Sequence, residues 1–133
     1  MTVLVDTDVF SYLWAGRPEA AQFADQVAGQ VAALSFTTVG ELYFGAASRG
    51  WGRQRVADLD SAIRPYLILP YSVEMARLWG MLKADVRRRG LTVPDNDLWI
   101  GATALHYEIP LLTNNRRHFE QIDRLVLLPR VGS

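Results

Sequence analysis

The sequence contains no cysteine, which excludes disulfides, thiolate metal sites and a cysteine nucleophile. Histidine is nearly as scarce, since His106 and His118 are the only two, and neither stands in a recognisable Ser/His/Asp arrangement. The glycine-rich patterns of nucleotide-cradling loops do not occur. No apolar run approaches the ~20 residues that a membrane-spanning helix needs. These absences leave few catalytic designs, and we expect no association with a membrane.

A net charge is also absent, because 14 basic residues balance 14 acidic ones. This balance argues against a protein that holds nucleic acid through its overall field, although local basic groups can still do so. The arginine groups that could form such patches are Arg49 with Arg53 and Arg55, Arg87 to Arg89, and Arg116 with Arg117. A solvated helix end or loop is an equally good interpretation of each group.

The chain has 133 residues, half of them hydrophobic, which suits one compact domain with a substantial core. We therefore expect a single domain over residues 1–133. Met1 runs directly into an apolar segment with no basic leader and no cleavage site. On that basis we expect an intracellular, cytoplasmic protein.

Short apolar segments alternate along the chain with longer segments of helical periodicity. The segments predicted as strands are residues 3–5, 31–36, 66–69, 111–112 and 125–128, and those predicted as helices are residues 9–15, 18–28, 37–48, 53–63, 72–89 and 95–107. Strands that are apolar on both faces and alternate with helices are typical of a parallel α/β sheet covered on both sides. Ligands of such sheets bind beyond the carboxyl ends of the strands, and we expect the chemistry there.

Three acidic residues are predicted to lie at that edge of the sheet. Asp6 ends the first strand, Glu41 lies in the first turn of the helix after the second strand, and Asp97 lies in the first turn of the last long helix. Each acid also has a structural interpretation. Asp6 could support the cap of the next helix, whose predicted N-cap is Asp8. Glu41 completes a capping box with Thr38, and Asp97 suits the positive end of a helix.

The physical argument for a shared function is repulsion. Two carboxylates ~5 Å apart at an effective dielectric constant of ~20 repel by roughly 3 kcal/mol. Three of them would raise each other's pKa unless a cation lay among them, and Lys83 is the only lysine of the chain. Oxygen ligands without cysteine or clustered histidine favour Mg²⁺ or Mn²⁺ over zinc. Such an ion can activate water for attack on a phosphodiester.

Four segments, in order, resemble the PIN-domain nucleases, and specifically the VapC-type toxins of toxin–antitoxin pairs. They are residues 3–9 (VLVDTDV), 38–45 (TVGELYFG), 94–104 (PDNDLWIGATA) and 112–119 (LTNNRRHF). One such motif alone would be weak, but four motifs in order over nearly the whole chain are specific. The resemblance implies a three-layer α/β/α fold with a central, mainly parallel sheet of four to five strands. It also implies a metal-dependent endoribonuclease that cleaves structured RNA such as tRNA or rRNA.

The resemblance also implies roles for individual residues. Asp6 and Asp97 would be the main Mg²⁺ ligands, with Mn²⁺ as an alternative ion, and Glu41 would hold a water or a second ion. Many members carry a fourth acid where this chain has Asn115 or His118, so either of these two could fill that position. The loss of one negative charge there puts strict two-metal catalysis in doubt.

The resemblance implies partners as well. A VapB-like antitoxin would place its tail in a groove and an arginine near the acids, and a homodimer is expected. The apolar side chains that could form the antitoxin surface are Tyr12, Leu13, Trp14, Tyr43, Phe44 and Trp51. Burial of these side chains in the core is an equally good interpretation.

Two other functions compete with the ribonuclease. A phosphate-accepting signalling domain also gathers acids at a parallel-sheet edge, but it needs an aspartate after the third strand, where this chain has Leu69-Pro70-Tyr71. A catalytically inactive PIN-like module that only binds a partner is the stronger alternative, because the fourth acid is missing. The presence of Asp6, Glu41 and Asp97 together argues against it.

Overall fold

A computed structural model describes residues 1–129 and shows a central sheet of four parallel strands in the order β3-β2-β1-β4. The strands are β1 (Thr2–Val5), β2 (Val31–Ser35), β3 (Leu67–Leu69) and β4 (Leu111–Leu112). β1 lies between β2 and β4 and pairs with both in parallel. Because the strands are parallel, their carboxyl ends lie at the same edge of the sheet. The predicted domain of residues 1–133 includes four residues that lie outside this description.

Within residues 1–129, seven α-helices connect and cover the strands. They are α1 (Thr7–Ala15), α2 (Ala21–Val27), α3 (Phe36–Ser48), α4 (Arg53–Ile63), α5 (Val73–Arg88), α6 (Asp95–Tyr107) and α7 (Arg116–Phe119), and a short 3-10 helix (Pro18–Ala20) leads into α2. Gly16 ends α1 with a φ of 64°, a left-handed conformation that glycine adopts without strain. None of these helices is both long enough and apolar enough to cross a bilayer.

Alternate residues of the strands point into two separate cores. Val3 and Val5 pack with Phe10 and Leu34 on one face, whereas Leu4 packs with helix residues such as Ile100 on the other face. This two-residue period is what a strand buried on both faces requires. The prediction of a three-layer α/β fold with a central, mainly parallel sheet of four to five strands is therefore confirmed, and the sheet has four strands within residues 1–129.

The boundaries of some predicted elements were wrong. Residues 125–128 do not form a full strand, and only an isolated parallel bridge joins Leu127 to Leu111. The N-cap of α1 is Asp6 rather than Asp8, and the N-cap of α3 is Ser35, whose Oγ accepts from the Thr38 N–H at 3.0 Å. Both helices thus begin directly after their strands, which places more of each helix at the carboxyl edge of the sheet.

Candidate active site

The predicted site residues come from four elements that meet at the carboxyl edge of the sheet. Asp6 follows β1, Glu41 lies on α3 and Asp97 lies in the first turn of α6. Thr113 and Asn115 follow β4, the neighbour of β1. The parallel arrangement brings these residues together, although more than a hundred positions separate Asp6 from Asn115.

Asp6 is only 5% exposed, and neutral groups hold its carboxylate. Its Oδ1 accepts from the Thr7 N–H at 2.8 Å, and its Oδ2 accepts from the Thr113 hydroxyl at 2.6 Å. Burial, followed by the charges of Asp8 and then Asp97, raises the pKa of Asp6 to about 7, although both hydrogen bonds act in the opposite direction. The fold therefore keeps a carboxyl group in a place where its ionisation is unfavourable.

Asp8 belongs to the same group, and the sequence interpretation missed it by treating it only as a helix cap. Burial is the largest cause that raises the pKa of Asp8, and the charge of Asp97 adds to it, although hydrogen bonds to backbone groups and to Asp6 act in the opposite direction. The spacing Asp6-x-Asp8 after a buried strand was the available signal. Asp6, Asp8 and Asp97 are thus the three carboxylates whose charges act on one another.

Glu41 does not take part in a capping box, so that structural interpretation was wrong. It lies beyond the first turn of α3, and its Oε1 accepts from the Thr7 hydroxyl at 2.8 Å. Its Oε2 accepts from the Asn96 side-chain amide at 3.3 Å. The Thr7 hydroxyl also lies 2.9 Å from the hydroxyl of Thr38. Contacts from α1 and α6 therefore fix the direction of the Glu41 carboxylate.

The fourth position is occupied by a pair of side chains in contact with Asp97. His118 Nδ1 lies 2.6 Å from Asp97 Oδ2 and 2.7 Å from the Asn115 side-chain amide. A single ring nitrogen cannot donate to Asp97 and accept an N–H from Asn115 at once. If His118 donates to Asp97, then Asn115 presents its oxygen to the ring. His118 is therefore the direct neighbour of Asp97, and Asn115 supports it.

The carboxylate oxygens of this site are suitable ligands for a hard divalent cation, although no three of the acids lie close together within residues 1–129. Over residues 1–129, no group of three or more histidine, cysteine, aspartate or glutamate residues has the spacing of a preformed metal site. In the same part of the chain, no lysine or arginine forms an ion pair with Asp6, Asp8 or Glu41. Oxygen donors with unfavourable, uncompensated charge are the ligands that Mg²⁺ and Mn²⁺ bind.

Two depressions flank Glu41, and both include Phe44 and Asn96 in their walls. The first, here called the aromatic cleft, has a volume of about 390 Å³ and is lined by Thr37, Gly40, Glu41, Phe44, Tyr71, Asn96 and Trp99. The second, here called the α1–α3 groove, has a volume of about 420 Å³ and its lining includes Trp14, Arg49 and Trp51.

The predicted apolar partner surface is only partly formed. Trp14, Phe44 and Trp51 line the α1–α3 groove. In contrast, Tyr12 and Leu13 pack against the core. Tyr43 is exposed, donates its hydroxyl to Asp60 and lines neither depression.

The arginine groups differ in their surroundings. Arg88 and Arg89 both pair with Asp85, which supports the interpretation of the residue 87–89 group as a solvated helix end. Arg116 pairs with Glu120. By contrast, the guanidinium of Arg55 lies 4.1 Å from the ring centre of Trp51. Arg49 lines the α1–α3 groove, whose wall also includes Glu41.

Comparisons with known proteins identify the family and the fold of the chain. The sequence profile of the PIN domain matches residues 3–125. The chain is 31% identical over 120 residues to ribonuclease VapC2 of Haemophilus influenzae, and the alignment covers 90% of each protein. The structure is similar to VapBC2 from Rickettsia felis, with a TM-score of 0.85, 23% identity and coverage of 96% and 98% of the two chains. It is also similar to VapBC-1 from nontypeable Haemophilus influenzae, with a TM-score of 0.83, 25% identity and coverage of 96% and 97%.

Proposed function

The chain belongs to the PIN-domain family, among its VapC-type ribonucleases, and from this premise we propose that its cleavage of RNA depends on a divalent metal held at the carboxyl edge of the sheet. The family predicted from the four sequence motifs is confirmed, and with it the assignment as a ribonuclease, a hydrolase of phosphodiester bonds. The proposed site residues are Asp6, Glu41, Asp97 and Asn115, with His118 beside Asn115 at the fourth position, and the burial of Asp8 supports adding it to them.

The surroundings of Asp6 are the observation that carries the metal proposal. Asp6 is buried, its hydrogen-bond partners are neutral, and the charges of Asp8 and Asp97 raise its pKa. Repulsion between carboxylates destabilises the folded state unless a cation lies among them. Asp6, Asp8 and Asp97 would hold Mg²⁺ or Mn²⁺, which supplies a water activated for attack and stabilises negative charge on the phosphate oxygens.

The other residues of the site position the reacting groups. Thr113 fixes Asp6 through its hydroxyl, and His118 fixes Asp97. Glu41, held by Thr7 and Asn96, orients the attacking water. The oxygen of that water would bond to phosphorus and release a proton to solvent, the bond from phosphorus to the leaving oxygen would break, and the leaving oxygen would take up a proton from solvent. Asn115 supports the ring of His118 in place of a fourth acid.

The α1–α3 groove suits the tail of a VapB-like antitoxin as the partner of this chain. Its apolar wall includes Trp14 and Phe44, and it opens toward Glu41 at one side. A tail seated there could place an arginine among acids that have no lysine or arginine partner in residues 1–129. We propose this pair as a cytoplasmic toxin and antitoxin, with the toxin acting as a homodimer on structured RNA.

The test is cleavage of total bacterial RNA by the purified chain with Mg²⁺ or Mn²⁺, beside an EDTA control and the Asp6→Asn variant. Discrete fragments that disappear in both controls are the expected result, and their ends identify the RNA. Fragments that persist in EDTA would contradict the metal proposal. Absence of any cleavage by the folded, antitoxin-free chain would favour the inactive binding module instead.

A further inference from the structure

The aromatic cleft shares Glu41 with the α1–α3 groove, and two of its wall residues belong to a row of four aromatic rings. The ring centres of Phe36 and Tyr71 lie 5.6 Å apart, those of Tyr71 and Trp99 lie 4.8 Å apart, and those of Trp99 and Trp79 lie 4.8 Å apart. The row thus runs from α3 across α6 to α5, and Tyr71 and Trp99 form part of the cleft wall.

Two aromatic side chains at this cleft are exposed to an extent that core packing does not explain. Phe44, which lines the cleft, is 73% exposed, and Phe36, at the end of the row, is 53% exposed. Exposed aromatic groups that border a concave surface mark binding sites more often than exposed groups scattered singly. The cleft therefore has the surface of a binding site for a flat, partly apolar group.

Polar groups stand beside the rings. Asn96 donates to Glu41 and lines the cleft, and the hydroxyl of Thr37 is hydrogen-bonded to that of Tyr71. The pKa of Tyr71 is raised first by burial and then by the charge of Glu41, which shows that the acid and the aromatic row are neighbours. A ligand in the cleft would contact rings, an amide and a hydroxyl while it lay next to Glu41.

Resting on the ribonuclease function proposed above, we propose that the aromatic cleft binds one unstacked nucleobase of the RNA, adjacent to the phosphate that is cleaved. Proteins recognise single-stranded RNA by stacking splayed bases on aromatic side chains and by hydrogen bonds to the base edges. The volume of about 390 Å³ accommodates a base with its ribose. Because Glu41 lies in the cleft wall, a base in the cleft places its own phosphate at the acidic edge.

The binding test compares two oligoribonucleotides that carry the same phosphates. One is a hexaadenylate, and the other has abasic sites at its two central positions. Both are measured by fluorescence anisotropy in Ca²⁺, with gels to verify that the oligomers stay intact. The hexaadenylate is expected to bind about tenfold more tightly, since stacking of one base on an aromatic ring has an effect of this size. Equal affinities would overturn the proposal.

Two variants of α3 locate the effect in the cleft. Gly40 lines the cleft, and a Cβ at this position meets nothing within 4 Å, so Gly40→Leu starts its side chain in open space and is expected to occupy the cleft. Its matched control is Ala47→Leu, which adds the same side chain at an exposed position outside the cleft. Phe44→Ala removes the exposed ring that the cleft shares with the α1–α3 groove, so Gly40→Leu is the variant specific to the cleft, and Tyr43→Ala removes the neighbour of Phe44 that lines neither depression.

The preference for the hexaadenylate is expected to disappear in Gly40→Leu and Phe44→Ala and to persist in the two controls. An unchanged preference in Gly40→Leu would overturn the proposal, and a changed sedimentation coefficient in that variant would then assign the cleft to contact between two copies of the chain.

Cleavage of total RNA is a separate readout. A base preference without cleavage would contradict the ribonuclease proposal alone, whereas cleavage without a base preference would contradict the subsite alone.

Discussion

Asp6 and Asp97 lie at the same edge of the sheet and repel each other, yet their surroundings differ. Asp6 is 5% exposed and accepts only from neutral groups, the backbone of Thr7 and the hydroxyl of Thr113. The side chain of Asp97 is 18% exposed and contacts the ring of His118 at 2.6 Å. One acid is fixed by the ends of two strands, and the other by a side chain of the short helix α7.

This difference separates two tasks within one site. The hydrogen-bond partners of Asp6, Thr7 and Thr113, lie close to the ends of β1 and β4, so the sheet determines where this carboxyl group lies. Burial and the neighbouring acids make its ionised form unfavourable unless a cation is present. The position of Asp97 depends on its contact with the side chain of His118. A contact of this kind can change the orientation in which a carboxylate binds a metal. In the proposed metal site, Asp6 would therefore determine whether a cation is needed, and the contact of His118 with Asp97 would adjust how tightly the site binds one.

Asp6→Asn and Asp97→Asn are each expected to reduce cleavage by at least about a hundredfold, the largest effects predicted here. Each removes one of the charges proposed to hold the cation, whose loss would cost several kcal/mol of transition-state stabilisation. Initial rates on a fixed RNA substrate measure the loss. Asp25→Asn, which changes an exposed acid on α2, is the control and should keep full activity. Activity near that of the unmodified chain in either site variant would remove that acid from the site.

The two acids should differ in how they affect stability against pH without metal. The pKa of Asp6 is about 7 in the folded chain against an ordinary value of 3.8. Between these values the folded state holds a proton that the unfolded state has lost, so stability falls as the pH rises from about 4 to 7. The loss is at most about 4 kcal/mol.

Thermal unfolding in EDTA at pH 5 and pH 8 measures this effect. Asp6→Asn should flatten the pH dependence more than Asp97→Asn does, because Asp97 is the smaller contributor to the raised pKa of Asp6. Mg²⁺ should raise the Tm of the unmodified chain more at pH 8 than at pH 5. A metal-free stability that is independent of pH over this range would contradict the argument about Asp6.

Sequence patterns predicted where Asp6 and Asp97 lie in the fold, but not the side chains that contact them. The strand-end position of Asp6 followed from a buried apolar strand, and Asp97 followed from the start of a periodic helix. The contact between His118 and Asp97 joins residues 21 positions apart and depends on how α7 packs beside α6. Asp8 was missed because a helix cap explains an aspartate equally well, and only its burial and its charged neighbours separate the two interpretations.

His118 should affect metal affinity through hydrogen bonding to Asp97. An asparagine at this position can place its amide nitrogen where Nδ1 of the ring lies, whereas leucine cannot donate at all. His118→Leu is expected to weaken Mn²⁺ binding by about tenfold, as losses of groups that orient metal ligands do, and His118→Asn should restore much of it. Titration of free Mn²⁺ by electron paramagnetic resonance gives the affinities. Equal affinities in the leucine variant and the unmodified chain would assign His118 a structural role only.

The smallest effect is expected at Thr7, which links the Asp6 side of the site to Glu41. Its backbone N–H contacts Asp6, and its hydroxyl donates to Glu41 Oε1 at 2.8 Å. Thr7→Val keeps the shape and the backbone contact but removes the hydroxyl, so stability should fall by about 1 kcal/mol. Because Glu41 keeps Asn96 as a partner, cleavage should fall only severalfold, with metal affinity unchanged. Thr92→Val, at an exposed loop position, is the control for the substitution. A loss of cleavage as large as that of Asp6→Asn would mean that Glu41 depends on Thr7 alone for its orientation.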